Sequence, residues 1–157
     1  MNSSDELYMR RVLELAELGR GKVEPNPMVG CVIVKEERII GEGWHQKYGE
    51  AHAERNAVDQ VQNQKDIIGS TVYVNLEPCS HYGKTPPCSN LLIQHQVKRV
   101  VVSNIDPNPL VDGGGIRRIR EAGIKVDIGT LQKEGEKLNR LFFQQIVTTI
   151  RSSSVPH

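Results

Sequence analysis

The sequence is poor in aromatic residues and carries almost no net charge. Aromatic side chains make up 4% of the 157 residues, and 20 basic residues are balanced by 19 acidic ones, which leaves a net charge of +1 at pH 7. So few rings offer no stacking platform for single-stranded nucleic acid. So balanced a charge provides no general attraction to a phosphate backbone. We therefore expect no nucleic-acid partner.

Long apolar runs are missing as well. No apolar stretch approaches the roughly 20 residues that a membrane-spanning helix needs. The N-terminal segment MNSSDELYMRR includes acidic residues and lacks the apolar core of a secretory signal. We therefore expect a cytoplasmic protein without a membrane partner. The length fits one domain, which we place at residues 1–150, followed by a disordered tail at residues 151–157.

Cysteine is scarce, with three residues in the chain. An odd number in a reducing compartment argues against a disulfide framework. Cys31 lies inside the apolar run VGCVIV, which favours a small buried hydrophobic side chain. Cys79 and Cys88 instead flank a loop rich in proline, glycine and polar residues, the kind of segment that often carries ligands and nucleophiles.

Segments with the periodicity of strands and of helices alternate along the chain. Apolar runs bounded by turn residues predict strands at 29–34, 38–44, 71–75, 99–103 and 124–128. Apolar residues at helical spacing predict helices that begin near Ser3, Ala51, Cys88, Ile116 and Leu131. We expect the last helix to reach as far as Ile150, although Gly135 weakens it.

This order of elements predicts an α/β fold. The first two strands are separated by a short turn at Glu36 and Glu37, so they should form an antiparallel hairpin. The later strands are joined by helices, so they should be parallel and connected by right-handed crossovers. We predict a three-layer α/β/α sandwich around a mixed five-stranded sheet in the order 2-1-3-4-5.

Three short motifs at the junctions of strands and helices carry metal-binding side chains. They are His52-Ala53-Glu54, Glu77-Pro78-Cys79 and Pro86-Pro87-Cys88. One imidazole and two thiolates form a three-ligand zinc set that leaves the fourth position to water. Helix N-termini also favour the thiolate form of cysteine. We predict one zinc ion per chain, bound by His52, Cys79 and Cys88.

Glu54 follows the predicted histidine ligand by two residues. Zinc lowers the pKa of its bound water to about 7, and a carboxylate is then needed to carry the proton to a departing amine. The pattern His-x-Glu followed by Pro-Cys and a second cysteine is the zinc-deaminase signature, in which the glutamate is the general acid and base. We therefore predict a hydrolytic deaminase with Glu54 as its catalytic residue.

The spacing between the two predicted cysteine ligands indicates which deaminase this is. The short signature has two residues between the cysteines, whereas here the eight residues SHYGKTPP separate them. The run LEPCSHYGKTPPC closely resembles the deaminase domain of the riboflavin-biosynthesis deaminase/reductase family (RibD, also called RibG). The resemblance extends from about Leu7 to Phe143. Further matching segments are NPMVG at 26–30, GWH at 43–45, GEAHAE at 49–54 and DPNPLV at 106–111.

The resemblance implies a cytidine-deaminase-like fold and a phosphorylated substrate. The reaction of the family is the hydrolytic deamination of 2,5-diamino-6-ribosylamino-4(3H)-pyrimidinone 5′-phosphate in riboflavin synthesis. Its implied binding residues are Asn26 and His45 at the base, Lys84 and Thr85 at the ribose phosphate, and Asp106 and Asn108 across the pocket. Lys84 is also the only cation between the two cysteines, and a bound phosphate needs cationic or N–H donors.

Two departures from the family pattern affect the interpretation. The chain stops where the reductase domain of the bifunctional enzyme begins, so we expect a stand-alone deaminase that depends on a separate reductase and uses no NADPH. The run Gly113-Gly114-Gly115 stands where the family commonly has a basic residue between glycines. Backbone N–H groups at the start of the following helix would still be able to bind an anion there. By resemblance, we also expect a homo-oligomer.

Two other functions compete with this interpretation. A deaminase of tRNA adenosine or of a free nucleoside would share the motif core, but the long cysteine loop and the absence of a basic charge excess argue against a tRNA enzyme. A non-catalytic zinc protein that acts as a partner subunit is the second alternative. A purely structural zinc would normally need a fourth protein ligand, which His45 or His81 would have to supply. The intact Glu54 argues against this alternative.

Overall fold

The computed structural model describes residues 3–80, 86–108 and 113–146. The strands are β1 (Gly30–Lys35), β2 (Arg38–Trp44), β3 (Thr71–Leu76), β4 (Arg99–Asn104) and β5 (Lys125–Ile128). The helices are α1 (Ser3–Glu17), α2 (Ala53–Gln60), α3 (Cys88–Gln94), α4 (Gly114–Glu121) and α5 (Gln132–Leu138). A short 3₁₀ turn spans Gln64–Ile67, and residues 140–146 form a further helical segment.

The strands form one mixed sheet in the predicted order β2-β1-β3-β4-β5. β1 pairs with β2 as an antiparallel hairpin, and β1 is also antiparallel to β3. β3, β4 and β5 are parallel, as strands joined by crossover helices must be. The predicted strand order and strand directions are therefore confirmed.

Both faces of the sheet are covered, which produces the three predicted layers. Successive side chains of a strand point to opposite faces. Cys31 and Ile33 accordingly join a core built with α2, α3 and α4. Val32 and Val34 join a second core on the other face, where α1 packs. β1, β3 and β4 are buried on both faces and read as nearly continuous apolar runs. The prediction of a buried Cys31 is confirmed.

The last predicted helix is interrupted, which corrects the sequence interpretation. α5 ends at Leu138, and Asn139 leaves helical geometry with φ −106° and ψ 31°. The Asn139 side chain accepts a hydrogen bond from Met28 N and donates one to Met28 O, both at 2.8 Å. The break is therefore set by a contact 111 residues away, and the helical continuation to Ile150 falls partly outside the described residues.

Gly135 has a packing role that its low helix propensity conceals. A Cβ atom at this position would lie 2.3 Å from Asn104 Oδ1 and 2.7 Å from Ser103 Oγ, both on β4. Only a glycine allows α5 to approach the sheet this closely.

The predicted tail at 151–157 lies outside the described residues. None of the helices within 3–80, 86–108 and 113–146 is long and apolar enough to span a membrane.

Candidate active site and metal centre

The predicted site residues that the structure describes converge at one edge of the sheet. β3 and β4 end at this edge, which is where open α/β sheets place their sites. Because β1 runs antiparallel to β3 and to β2, the segment before β1 and the end of β2 lie at the same edge. Asn26, His45, Cys79 and Asp106, which belong to four separate segments, line a single pocket of about 280 Å³.

The predicted zinc ligands come together at the starts of two helices and the end of a strand. His52 directly precedes α2, Cys79 follows β3, and Cys88 is the first residue of α3. His52 Nδ1 lies 3.4 Å from Cys88 Sγ and 3.9 Å from Cys79 Sγ. Within the described ranges, this is the one group of three or more His, Cys, Asp or Glu residues suited to a metal ion.

These distances fit a tetrahedral zinc ion. Zinc–nitrogen and zinc–sulfur bonds of about 2.0 and 2.3 Å place the two ligand atoms roughly 3.5 Å apart in a tetrahedron. The sequence prediction left the choice between the two ring nitrogens of His52 open, and in the structure Nδ1 faces the sulfurs. The three ligand atoms therefore lie within 4.8 Å of one another, as binding to a single ion requires.

The first turn of α3 stabilises the anionic form of Cys79. Cys88 N donates to Cys79 Sγ at 3.1 Å, and Ser89 N donates to Cys79 O at 3.0 Å. Hydrogen bonds from Cys88 and His52 lower the pKa of Cys79 to about 4. The thiolate is the form that binds a metal ion, so this local geometry favours metal binding.

Glu54 lies in the first turn of α2 and is 4% exposed. It lines the same pocket as His52 and Cys79. Burial, followed by the proximity of Cys79, raises the pKa of Glu54 to about 7. A carboxyl group with a pKa near the working pH can both accept and deliver a proton. The geometry therefore suits the general acid and base predicted from the sequence.

His45 is buried in the pocket and is fixed in one tautomer by its partners. Its Nδ1 lies 3.1 Å from the carbonyl oxygen of Ala51, which can only accept, so Nδ1 carries the proton. Nε2 therefore accepts from Asn26 Nδ2 at 3.1 Å. Burial lowers the pKa of His45, which favours the neutral ring. Both ring nitrogens thus have hydrogen-bond partners, which argues against His45 as a fourth zinc ligand.

The remaining predicted binding residues fall into two groups. Asp106 and Asn108 line the pocket, as the resemblance implies. Lys84 and Thr85, together with His81, lie outside the described residues, so their positions stay predictions.

The start of α4 does not offer all its N–H groups to a ligand, because those of Gly115 and Ile116 donate to Glu77 Oε2 at 3.0 and 3.3 Å.

Several side chains that shape the site were not predicted from the sequence. Asn75 accepts from Gly30 N at 2.8 Å and donates to Met28 O at 3.0 Å, so it holds the segment that carries Asn26. The only sequence feature that could have indicated this role is the position of Asn75, a polar residue near the end of an otherwise apolar strand. Phe142 and Ile146 also line the pocket, and nothing local in the sequence indicates that role.

Comparisons with known proteins agree with this geometry. A family model described as the cytidine and deoxycytidylate deaminase zinc-binding region matches residues 2–104. The chain is 49% identical over 144 residues to the diaminohydroxyphosphoribosylamino-pyrimidine deaminase of Buchnera aphidicola subsp. Schizaphis graminum, and the match covers 92% of this chain and 97% of that protein. It is 51% identical over 144 residues to the riboflavin biosynthesis protein RibD of Escherichia coli, covering 92% of this chain but 39% of RibD.

A solved structure supports the same relationship. The chain matches Acinetobacter baumannii RibD with a TM-score of 0.87 at 48% identity, and the match covers 91% of this chain and 40% of that one. The chain therefore spans about two fifths of the RibD proteins and nearly all of the Buchnera protein. The fold, the grouped ligands and these matches agree with the resemblance seen in the motifs: the chain belongs to the zinc-binding cytidine and deoxycytidylate deaminase family.

Proposed function

We propose that the chain is a zinc-dependent hydrolytic deaminase of 2,5-diamino-6-ribosylamino-4(3H)-pyrimidinone 5′-phosphate. The observation that carries the proposal is the grouping of His52 Nδ1 with two cysteine sulfurs, next to the buried Glu54 in a pocket that His52 and Cys79 also line. The choice of substrate rests on the likeness to the Buchnera deaminase over nearly its whole length. The long loop between the cysteines supports the same choice.

The proposed roles follow from the chemistry of each side chain. His52, Cys79 and Cys88 hold the zinc ion, which when bound supplies a hydroxide-like nucleophile at neutral pH. Glu54 accepts a proton from the attacking water and delivers a proton to the amino group, which leaves as ammonia. Water supplies the oxygen that replaces the amino nitrogen, so no further reactant is needed.

The base is proposed to bind between two polar walls of the pocket. The neutral His45 is held by the carbonyl of Ala51 and accepts from Asn26, so it fixes the direction in which the rest of the Asn26 amide faces the base. Asp106 and Asn108 form the other wall. We assign Lys84 and Thr85 to the ribose phosphate on the strength of the resemblance.

Two proposals concern partners. The resemblance places a reduction after deamination, and we infer that a reductase site outside this domain consumes the product. We also infer that the chain associates with copies of itself. Light scattering coupled to size exclusion tests the second point, because a single species with the mass of one 17.6 kDa chain at micromolar concentration would contradict it.

An ammonia-release assay tests the function directly. Zinc-loaded protein should release ammonia from the phosphorylated ribosylaminopyrimidine and, at lower kcat/KM, from its dephosphorylated analogue. Cytidine, dCMP and a tRNA anticodon stem-loop serve as competing substrates. Faster turnover of any of these three would replace the proposed substrate, and no turnover of any compound would favour the non-catalytic zinc protein.

A further inference from the structure

Glu77 is a buried carboxylate that joins two parts of the site. It directly follows β3 and stands two residues before Cys79. Its exposed fraction is 5%, and its oxygens accept three backbone hydrogen bonds. Oε2 accepts from Gly115 N and Ile116 N in the first turn of α4, whereas Oε1 accepts from Asp106 N at 3.2 Å.

The contact with Asp106 continues along the wall of the pocket. Asp106 Oδ1 accepts from Asn108 N at 2.9 Å, which closes a tight turn between two residues that both line the pocket. A relay of hydrogen bonds thus runs from Glu77 through Asp106 to Asn108.

α4 is held firmly against the segment that carries Cys79. A Cβ atom at Gly115 would lie 1.8 Å from Pro78 O, so only glycine permits this approach. Arg118 Nη1 also donates to Ser80 O at 3.0 Å. Because α4 is held in this way, one oxygen of Glu77 binds a fixed helix start and the other binds the 106–108 segment.

We propose that Glu77 is a positioning residue, which sets the 106–108 wall of the pocket relative to the zinc-ligand segment through its hydrogen bond to Asp106. Its effect on substrate binding rests on the proposed function, but the structural relay does not. The carboxylate is required because it has two accepting oxygens. An amide in its place keeps one acceptor and turns an N–H group toward a backbone donor.

Backbone amide hydrogen exchange, followed by NMR on zinc-loaded full-length protein, tests the relay without any substrate. In Glu77→Gln we expect the amide oxygen to stay with the two donors of α4, so that Asp106 N loses the acceptor it has in Glu77 Oε1. The amides of Asp106 and Asn108 should then exchange about tenfold faster or more. Wild-type exchange at both amides would overturn the proposal.

Asp106→Ala provides a second test that leaves the buried carboxylate in place. It removes the acceptor of Asn108 N but keeps the N–H group that Glu77 binds. Exchange should therefore rise at Asn108 alone, with the amide at 106 still protected. This variant tests the second contact of the relay independently of any change at Glu77, and unchanged exchange at Asn108 would contradict that contact.

Steady-state kinetics test the consequence for the substrate. Glu77→Gln should raise KM for the phosphorylated pyrimidine about tenfold or more, with kcat within about threefold of wild type and zinc content unchanged. The matched control is Glu121→Gln, which makes the same change at an exposed position of α4 and should alter neither constant. Loss of zinc, or loss of kcat at constant KM, would overturn the assignment because Glu77 would then act on the metal segment. If wild type turns over no pyrimidine, the proposed function fails and the exchange data alone decide the relay.

Discussion

Two buried glutamates near the cysteine ligands differ in what surrounds them. Glu77 has its oxygens engaged by three backbone N–H donors, which suits a carboxylate that holds structure. Glu54 instead faces the pocket beside His52 and Cys79. Burial raises the pKa of both carboxyl groups, and that of Glu54 reaches about 7. At the scale of single residues, this difference favours Glu54 over Glu77 as the proposed proton carrier.

Replacing Glu54 with glutamine should abolish most turnover while the protein keeps its fold and zinc. Glutamine has nearly the same shape but cannot accept and deliver a proton, and general acid–base catalysis contributes about 10²–10⁴-fold. The measurement is kcat for ammonia release together with zinc content. Asp59→Asn, an exposed change on the same helix, is the matched control. Activity within about threefold of wild type, only about 0.7 kcal/mol of barrier, would mean that another group is the base.

Replacing Lys84 with alanine should weaken the phosphorylated substrate far more than its dephosphorylated analogue. A charge-assisted contact to phosphate is worth about 1.5–3 kcal/mol, or roughly 10- to 150-fold in kcat/KM. Measuring kcat/KM for both compounds in wild type and variant isolates the interaction free energy between Lys84 and the phosphate. Lys98→Ala, an exposed lysine next to the start of β4, should change neither value. Equal losses for the two compounds would show that Lys84 does not contact the phosphate.

At the scale of elements, α1 is tied to the sheet by a buried ionic contact. Asp5, which is 1% exposed, accepts from Arg99 Nη1 and Nη2 at 2.9 and 2.7 Å and from the Tyr73 hydroxyl at 2.8 Å. Arg99 also donates to Asp127 on β5 at 2.7 Å. The first helix is thereby joined to three neighbouring strands, next to the core formed by its apolar side.

Asp5→Asn should lower the free energy of unfolding by about 1.5–3 kcal/mol at pH 7, the contribution of hydrogen bonds to a charged group, because Arg99 keeps its contact with Asp127. The hydrogen bond with Arg99 lowers the pKa of Asp5 in the folded state. Its contribution is therefore complete above the unfolded-state pKa of about 4 and is lost as the pH falls through the lower folded-state pKa.

Urea unfolding between pH 2 and 7 measures this effect. The difference between wild type and Asp5→Asn should shrink below about pH 4. Asp66→Asn, an exposed change in the 3₁₀ turn, should stay within about 0.5 kcal/mol of wild type. A difference that does not depend on pH would mean that the charge of Asp5 is not the source of its stabilisation.

At the scale of the whole molecule, a contact between Asn139 and Met28 joins two segments that are far apart in the sequence. Asn139→Ala removes both side-chain contacts to the Met28 backbone, and we expect a loss of about 2–3 kcal/mol in the free energy of unfolding. Gln144→Ala, an exposed change on the following segment, should cost little. Equal stability of the two variants in urea unfolding would show that the contact between these distant segments is not stabilising.

Removing zinc should lower the thermal stability of the whole domain, because the ligands join the start of α2 to the segments that flank Cys79 and Cys88. A ligand present at about 1,000 times its Kd stabilises the folded state by about 4 kcal/mol. Chelation followed by calorimetry should lower Tm, and added zinc but not magnesium should restore it. Cys88→Ser should lose this response. An unchanged Tm after verified metal removal would contradict the coupling.

Prediction from the sequence worked best where a local pattern has one structural solution. The sequence patterns located each strand to within one residue at either end. β1, β3 and β4 were the plainest cases, because a strand buried on both faces must be apolar along most of its length. The grouping of His52, Cys79 and Cys88 was also predicted and is confirmed. Their roles and that of Glu54 stay predictions, since only the chemistry tests them.

The sequence by itself determined the strand order, the layers and the donor set, because periodicity and the ends of strands are local properties. Only the tertiary structure decided which N–H groups at the start of α4 were already engaged, why the last helix breaks at Asn139 and why Gly135 is required. Each of these depends on a partner far away in the chain, such as Glu77 for Gly115 or Met28 for Asn139. A buried polar group forms a hydrogen bond with a partner that the fold places next to it. When that partner is distant in the sequence, neighbouring residues do not identify it.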